Sequence, residues 1–445
     1  MSDISADELA RYDASGVTAE HWKIMFISGM GFFTDAYDLF IIGVAMRLIK
    51  DEWHPPTIAV GLVTSTALLA AAVGALLFGR VADMLGRKRI YGYEVLVLAA
   101  GAIASAFSPS IWWLIGFRVI LGIGIGGDYP VSSTLMSEYA GKSTRGMMVS
   151  LVFAMQAAGL IIGPLLAAGL LASGMSHDLT WRLLLAFGAI PALAVFQMRR
   201  RLAETPRYRL AAAKRKQAKV SFAEGFRTLL ARQDLRARLI GASLAWFLMD
   251  FAYYGNTVSS PMVLHVIAPK QDLLTETLTQ LMVFAVAAVP GYFVAAAMMD
   301  RIGRKSIQIL GFAMMAISFT AMALIPGIEK LIYPFLVVYG ISYFFTEFGP
   351  NATTFVYPAE LFPVEARTTG HGIASATGKI GGFVGVFTFP LLMHWHGLLT
   401  AELGAAIASV LGLLCTASLL PETKGRTLEE LSAEEKDDPR LRLAA

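Results

Sequence analysis

Several ionisable side chains stand inside stretches that are otherwise apolar, where a charge is costly and a functional role is the default reading. Asp35 and Asp38 are three residues apart and share one helical face. Glu94, Arg118, Asp128 and Glu347 lie in similar surroundings, with Gln156 and Asn351 as neutral polar companions. Trp246, Asp250 and Tyr254 recur every four residues and make one stripe of aromatic, acid and aromatic. Lys379 sits among Ser375, Ala376, Gly378, Gly381 and Gly382. An ammonium group in such a place needs an anionic partner or an anionic ligand. Buried carboxyl groups suit proton transfer near neutral pH, and a buried lysine with amide and phenol donors suits a small oxyanion. The residues alone point to a proton-coupled carrier of a small polar solute, with an anion favoured.

Structural readings compete with these. Asp35 and Asp38 can cap a helix start, although the apolar run begins well before them. Arg118 can hold backbone carbonyls or snorkel. The run from Gly122 through Gly124, Gly126 and Gly127 looks like a nucleotide loop, yet no strand precedes it, and it reads as a close-packing stripe. Trp246 and Tyr254 suit an interfacial belt, but Asp250 shares their face. No nucleophile–base pair or metal constellation is apparent, which argues against an enzyme.

The elements that hold these residues are helices in lipid. Of 445 residues, 56% are hydrophobic and only 16% charged, and the mean hydropathy is +0.59. A soluble domain carries about 25% charged residues. Apolar windows of roughly 20 residues, the length that spans a bilayer, recur along nearly the whole chain. About twelve fit, over 22–48, 57–82, 89–107, 110–138, 145–173, 180–199, 237–264, 276–298, 306–325, 331–358, 366–393 and 399–419. The net charge of +4 does not imply nucleic acid, because the basic residues cluster in short loops. The lone Cys415 excludes a disulfide framework. No cleavable signal peptide is expected in residues 1–21, which are polar and acidic.

The segment 200–236 divides the chain into bundles at 22–199 and 237–419, with tails at 1–21 and 420–445. Arg80, Arg87, Lys88 and Arg89, then Lys142 and Arg145, then Arg199, Arg200 and Arg201 fall in alternate loops. So do Arg301, Arg304 and Lys305, Arg367, and finally Lys424 and Arg426. The bias places both termini and the linker in the cytoplasm of an inner (plasma) membrane protein. Asp83, Gly86, Arg87 and Lys88 after the second run echo Asp300, Gly303, Arg304 and Lys305 after the eighth. A six-plus-six duplication with this loop is the parallel repeat of major facilitator carriers. Asp83 with Arg87, and Asp300 with Arg304, are the candidate gate.

At these residues the chain becomes recognisable. Gly126-Gly-Asp128-Tyr129-Pro130 resembles the signature of the phosphate:proton symporter family within the major facilitator superfamily. So do the stretches from Gly31 to Asp38, Tyr91 to Glu94, Phe348 to Phe355, Tyr357 to Pro363 and His371 to Lys379. The Pro421-Glu-Thr-Lys-Gly-Arg-Thr-Leu-Glu-Glu stretch is shared with sugar porters. The resemblance covers nearly the whole chain and implies an all-α fold of about twelve transmembrane helices in two six-helix halves. It implies inorganic phosphate held by Tyr129, Gln156, Trp246, Asp250, Tyr254, Asn351 and Lys379. Proton movement falls to Asp35, Asp38, Glu94 and Asp128, with the proton gradient as driving force and no cofactor.

Three departures stand out. The central loop is short compared with that of fungal members. Glu347 occupies a position where a neutral residue is expected, which bears on proton stoichiometry or on the preference for an anion. Pro363-Val-Glu-Ala-Arg367 differs from the usual basic pattern, which bears on the gate. A carrier of an organic acid or sugar on the same fold is the alternative; a non-transporting sensor would be expected to have longer tails. The sequence assigns no oligomeric state.

Overall fold

The computed structural model describes residues 13–14, 16–214 and 221–433. Most of the first tail, the linker stretch 215–220 and the last twelve residues of the second tail lie outside the described residues.

The apolar runs form α1 (Ala19–Trp53), α2 (Thr57–Leu85), α3 (Arg87–Ala106), α4 (Ile111–Tyr139), α5 (Arg145–Ala172) and α6 (His177–Arg200). After two short linker helices, Pro206–Lys214 and Glu224–Ala231, come α7 (Gln233–Val258), α8 (Leu273–Ile302) and α9 (Arg304–Leu324). The set closes with α10, in the pieces Ile332–Thr346, Glu347–Asn351 and Ala352–Leu361, then α11 (Arg367–His396) and α12 (Leu398–Leu419). Among the described residues, nine helices are long and apolar enough to cross a membrane. The exceptions, α1, α7 and α10, are three of the elements that carry candidate site residues. Asp35 and Asp38 dilute α1, Asp250 and a cluster of aromatics dilute α7, and α10 is broken.

The break in α10 falls at Gly349-Pro350. Gly349 leaves helical geometry at φ −99°, ψ −114°, and the turn Glu347–Asn351 is π-helical. A proline removes one backbone donor, and π turns recur at functional sites. In α3, Gly92 takes φ +110° and breaks the first turn from the rest.

Helices α1, α2, α4, α5 and α6 pack on one another, as do α7, α9, α10, α11 and α12. Across the seam α2 lies along α11 and α5 along α8. The glycine run of α4 is a packing stripe, as expected. A Cβ on Gly126 would lie 1.9 Å from the Ala71 carbonyl oxygen and one on Gly122 2.2 Å from that of Ala67. Small residues let membrane helices approach this closely.

The duplicated loops adopt one geometry twice. Gly86 and Gly303 sit at φ +100° and +104°, where a side chain would be strained. A Cβ on either would also lie 2.4 Å from a carboxylate, that of Glu204 or Glu422. Glu204 accepts from the Lys88 amide, and Glu422 from the amides of Arg304 and Lys305. The next residue repeats the pattern: the hydroxyl of Thr205 donates to Glu138, and that of Thr423 to Glu360.

The arginines read as cytoplasmic loop charges are mostly not free. Arg80, Arg87, Arg145, Arg199, Arg304 and Arg367 are buried. Arg199, read with Arg200 and Arg201 as a loop charge, is not one. Helix α6 continues to Arg200, and the Arg199 side chain turns into the bundle.

Candidate functional site

A buried lysine organises the centre of the molecule. Helix α11 presents Lys379 through its small residues, and the Nζ donates to the Tyr254 hydroxyl at 2.8 Å and to Asp250 at 3.4 Å. The same ammonium lies 4.1 Å above the Tyr129 ring and 4.6 Å from that of Tyr254, close enough for cation–π attraction. Trp246 leans edge-on against His371, with ring centroids 5.4 Å apart, and stands 6.1 Å from Tyr129. A side chain on Gly378 would strike the Trp246 indole at 2.4 Å, so the glycine makes room for the ring.

A second arm completes the pocket. Gln156 of α5 donates to the Tyr129 hydroxyl at 3.0 Å and accepts from Tyr292 of α8 at 3.1 Å. Asn351 donates to the Tyr292 hydroxyl at 3.3 Å and to Glu347. Tyr129, Gln156, Trp246, Asp250, Tyr254, Asn351 and Lys379 thus come together from α4, α5, α7, α10 and α11. Tyr292 joins them, a residue that carries no charge in its apolar run and so gave no signal in the sequence. Glu347, flagged as a departure, is part of the same network.

Aromatic rings bound the pocket at both ends. Phe40 of α1 stacks on Tyr254 at 5.5 Å and meets Tyr253 at 5.7 Å. Towards the linker end, Phe32 meets Tyr129 and Phe355 at 4.9 and 4.8 Å, and Phe153 stacks on Phe355 at 4.8 Å. Beyond Phe40, away from the linker, a cavity of about 620 Å³ opens between α1, α2, α7 and α11. Its lining includes Lys50, His394 and Arg47, the last paired with Glu276 at 3.2 Å.

Glu94, Asp128 and Asp35 of the first half lie on the linker side of the Lys379 site, around Arg199. Asp128 makes two bonds of 2.8 Å with the Arg199 guanidinium, a planar fork meeting a carboxylate. Glu94 takes a third bond of 2.8 Å from the same group and accepts from the Gly92 amide at 2.8 Å. Ser132 donates to Asp128 at 2.5 Å, and the Tyr91 ring supports Arg199 from 4.5 Å. Gly31 leaves room for this cluster, since a Cβ there would fall 1.6 Å from Asp128 Oδ2.

Asp35 is buried with neither carboxyl oxygen hydrogen-bonded. It lies within electrostatic reach of Asp128 and Arg199 on one side and Lys379 on the other. Asp38 presses on Gly188 of α6 and has Arg118 as its electrostatic partner, so Arg118 is its counter-charge. Glu94, Asp128 and Asp35 therefore gather around Arg199, a cation the sequence reading missed, while Asp38 lies with Arg118.

The seal at the linker end is more extensive than the expected pairs. Arg87 bridges Asp83 at 3.1 Å and Glu138 at 3.0 Å, and reaches the Val364 carbonyl at 2.9 Å. Arg304 repeats this with Asp300 at 2.8 Å and Glu360 at 2.7 Å. Each aspartate also crosses the seam. Asp83 accepts from the amides of Thr368 and Thr369, at 3.3 and 2.7 Å, at the start of α11. Asp300 accepts from the amides of Gly146 and Met147, at 3.1 and 2.7 Å, at the start of α5. The first amides of a helix have no partner of their own, and a negative charge there also meets the favourable end of the helix dipole. Arg367 adds a bond of 2.9 Å to Glu138.

The sequence pattern of the Major Facilitator Superfamily matches residues 28–385 and 282–443. The chain is 38% identical to the putative inorganic phosphate transporter 1-13 of Oryza sativa subsp. japonica, over 93% of this chain and 91% of that protein. It is 34% identical to the inorganic phosphate transporter 1-4 of Arabidopsis thaliana, over 94% of each. The fold is that of the proton:xylose symporter XylE bound to 6-bromo-6-deoxy-D-glucose, with a TM-score of 0.79 at 20% identity over 92% of this chain and 98% of that one. The inward-open form of XylE from E. coli gives 0.66 at 20% identity, over 94% and 100%. The chain is thus an integral membrane transporter and not an enzyme, and it belongs to the inorganic phosphate transporter family of the Major Facilitator Superfamily.

Proposed function

We propose that this carrier imports inorganic phosphate together with protons by alternating access, driven by the proton gradient without a cofactor. The linker end faces the cytoplasm, and the cavity beyond Phe40 faces the outside of the plasma membrane. The observation that carries the reading is the buried Lys379 ammonium, bonded to the Tyr254 phenol, set over the Tyr129 ring and balanced by one carboxylate. That composition suits a small oxyanion that also carries protons. A fully ionised phosphate would be repelled by Asp250, so the anion binds protonated, with Asp250 accepting its hydrogen bond, or Asp250 itself takes the proton. The two states titrate as a coupled pair.

In this mechanism Arg47, Lys50 and His394 draw the anion into the outer cavity. Phe40 and Tyr254 separate, and Lys379 exchanges Tyr254 and Asp250 for phosphate oxygens. Protonation among Asp38, Asp35 and Asp128 removes negative charge from the first half and permits the loaded carrier to rock. Purified protein in liposomes should accumulate labelled phosphate faster with an inward proton gradient. Competition by phosphate, but not by sulfate, sugars or benzoate, is the expected pattern; competition by sugars or aromatic acids would replace the substrate and keep the fold.

Alternation makes a prediction at the seal. Asp83→Ala with Asp300→Ala removes carboxylates that tie both halves together, and charge-assisted bonds are worth about 1.5–3 kcal/mol each. The inward-facing form should gain population at least about tenfold, since each 1.4 kcal/mol is a factor of ten. A cysteine replacing Ser137, whose hydroxyl donates to the Ala359 carbonyl at 2.9 Å across the seam, reports the change. Its labelling by a thiol reagent should accelerate in the double variant; an unchanged rate would remove these aspartates from the gate.

A further inference from the structure

Two carboxyl groups in the second half have no place in that mechanism. Glu347 of α10 and Glu402 of α12 are fully buried, and each has one oxygen, Oε1, without a hydrogen-bond partner. Among the described residues neither forms an ion pair, unlike Asp128, Glu94 and Asp250. An ionised carboxylate in such a position has lost its water without gaining a cation, which is costly. A proton on the free oxygen removes that cost.

Around Glu347 stand an amide, three phenols and one further carboxyl group. Asn351 donates to its Oε2. Tyr253 and Asp250 face it from α7, Tyr292 from α8 and Tyr343 from its own helix, one turn away. Towards the outer side a line of polar atoms continues. The hydroxyls of Tyr343 and Tyr339 are 3.2 Å apart, Tyr339 donates to the Asn256 carbonyl at 3.4 Å, and the Asn256 amide reaches Glu402 at 3.5 Å. Tyr339 and Glu347 are eight residues apart, roughly 12 Å along a helix, so these polar groups lie on the outer side of Glu347, with Tyr343 one turn from it. From Glu347 the network continues through Asn351, Tyr292 and Gln156 to Tyr129. Glu347 also opens the π-helical turn at the break in α10, where local backbone movement needs little rearrangement.

We propose that Glu347 is a proton-binding site of this carrier, loaded from the outer side past the Tyr339–Tyr343 pair, and separate from the acids of the first half. Its carboxylate gains an O–H bond when the carrier faces outward and gives that proton to water at the linker side after rocking. Each phosphate is then accompanied by one proton more than the first-half acids carry. The transport part of this assignment rests on the phosphate:proton reading above; the protonation of Glu347 does not.

The test compares the full-length carrier with Glu347→Gln, which keeps the shape and the contact with Asn351. Reversal potentials of phosphate flux in liposomes give the charges moved per phosphate, and the variant should move one fewer. Independently, infrared spectra of the purified proteins at neutral pH should show the carbonyl band of a protonated carboxylic acid weakened in the variant. An unchanged stoichiometry in a transporting variant overturns the proposal, and so does an unchanged band. If the variant is inactive, the band decides. If neither protein takes up phosphate, the phosphate reading falls, and the band still decides whether Glu347 holds a proton.

Discussion

Lys379→Ala should weaken phosphate binding by orders of magnitude. The ammonium is the cation that α11 places in the pocket, and its partners are Asp250, Tyr254 and the Tyr129 ring. Removing it takes away the charge that attracts the anion and leaves Asp250 buried without a counter-ion. Truncating one member of a buried, hydrogen-bonded charge pair costs about 2–5 kcal/mol, or from about 30-fold to about 4,000-fold in affinity. Both effects act against phosphate, so the loss should lie towards the upper end. Titration calorimetry on the purified variant measures it. Binding within about threefold of wild type, in protein shown to be folded, would move the anion site elsewhere.

Asp128→Asn should separate coupling from binding. The change leaves the Lys379 pocket intact but halves the anionic charge on Arg199, which then keeps Glu94 as its carboxylate partner. Phosphate affinity should stay within a few-fold, while stimulation of uptake by an inward proton gradient disappears. Arg199→Gln is the harsher change. It leaves Asp128 and Glu94 buried without their cation, and breaking such a pair costs about 3–5 kcal/mol. Thermal unfolding in detergent should register that loss, whereas Asp128→Asn should unfold near the wild-type temperature. Gradient-stimulated uptake that persists in Asp128→Asn would assign coupling to Asp35, Asp38 or the second half.

Much of this architecture is legible in the sequence because lipid imposes strict rules. A charge inside an apolar run has few innocent explanations, so Asp35, Asp38, Glu94, Asp128, Asp250 and Lys379 identify themselves. The acid–Gly–Arg–Lys repeat exposes the duplication before any coordinates exist. What escapes lies where those rules lose force. Arg199 is one of three consecutive arginines at a helix end, and nothing in the sequence tells an inward guanidinium from a cytoplasmic one. Glu138 and Glu360 sit near helix ends, where an acid looks solvated, yet both are buried. Tyr292 is neutral and so silent. Glu402 carried the right signal, an acid in the twelfth apolar run, and needed Asn256 from another helix to give it meaning.

The crossed capping at the linker end makes the seal redundant. Asp83 closes the start of α11 while Asp300 closes the start of α5, and each arrangement has its own arginine and glutamate behind it. Loss of one fastening leaves the other to hold the same interface, so single substitutions should look mild while the pair together does not. Coupled sites of this kind break additivity. A survey that changes one residue at a time would score both aspartates as dispensable and overlook that the ancient duplication left this carrier with a spare.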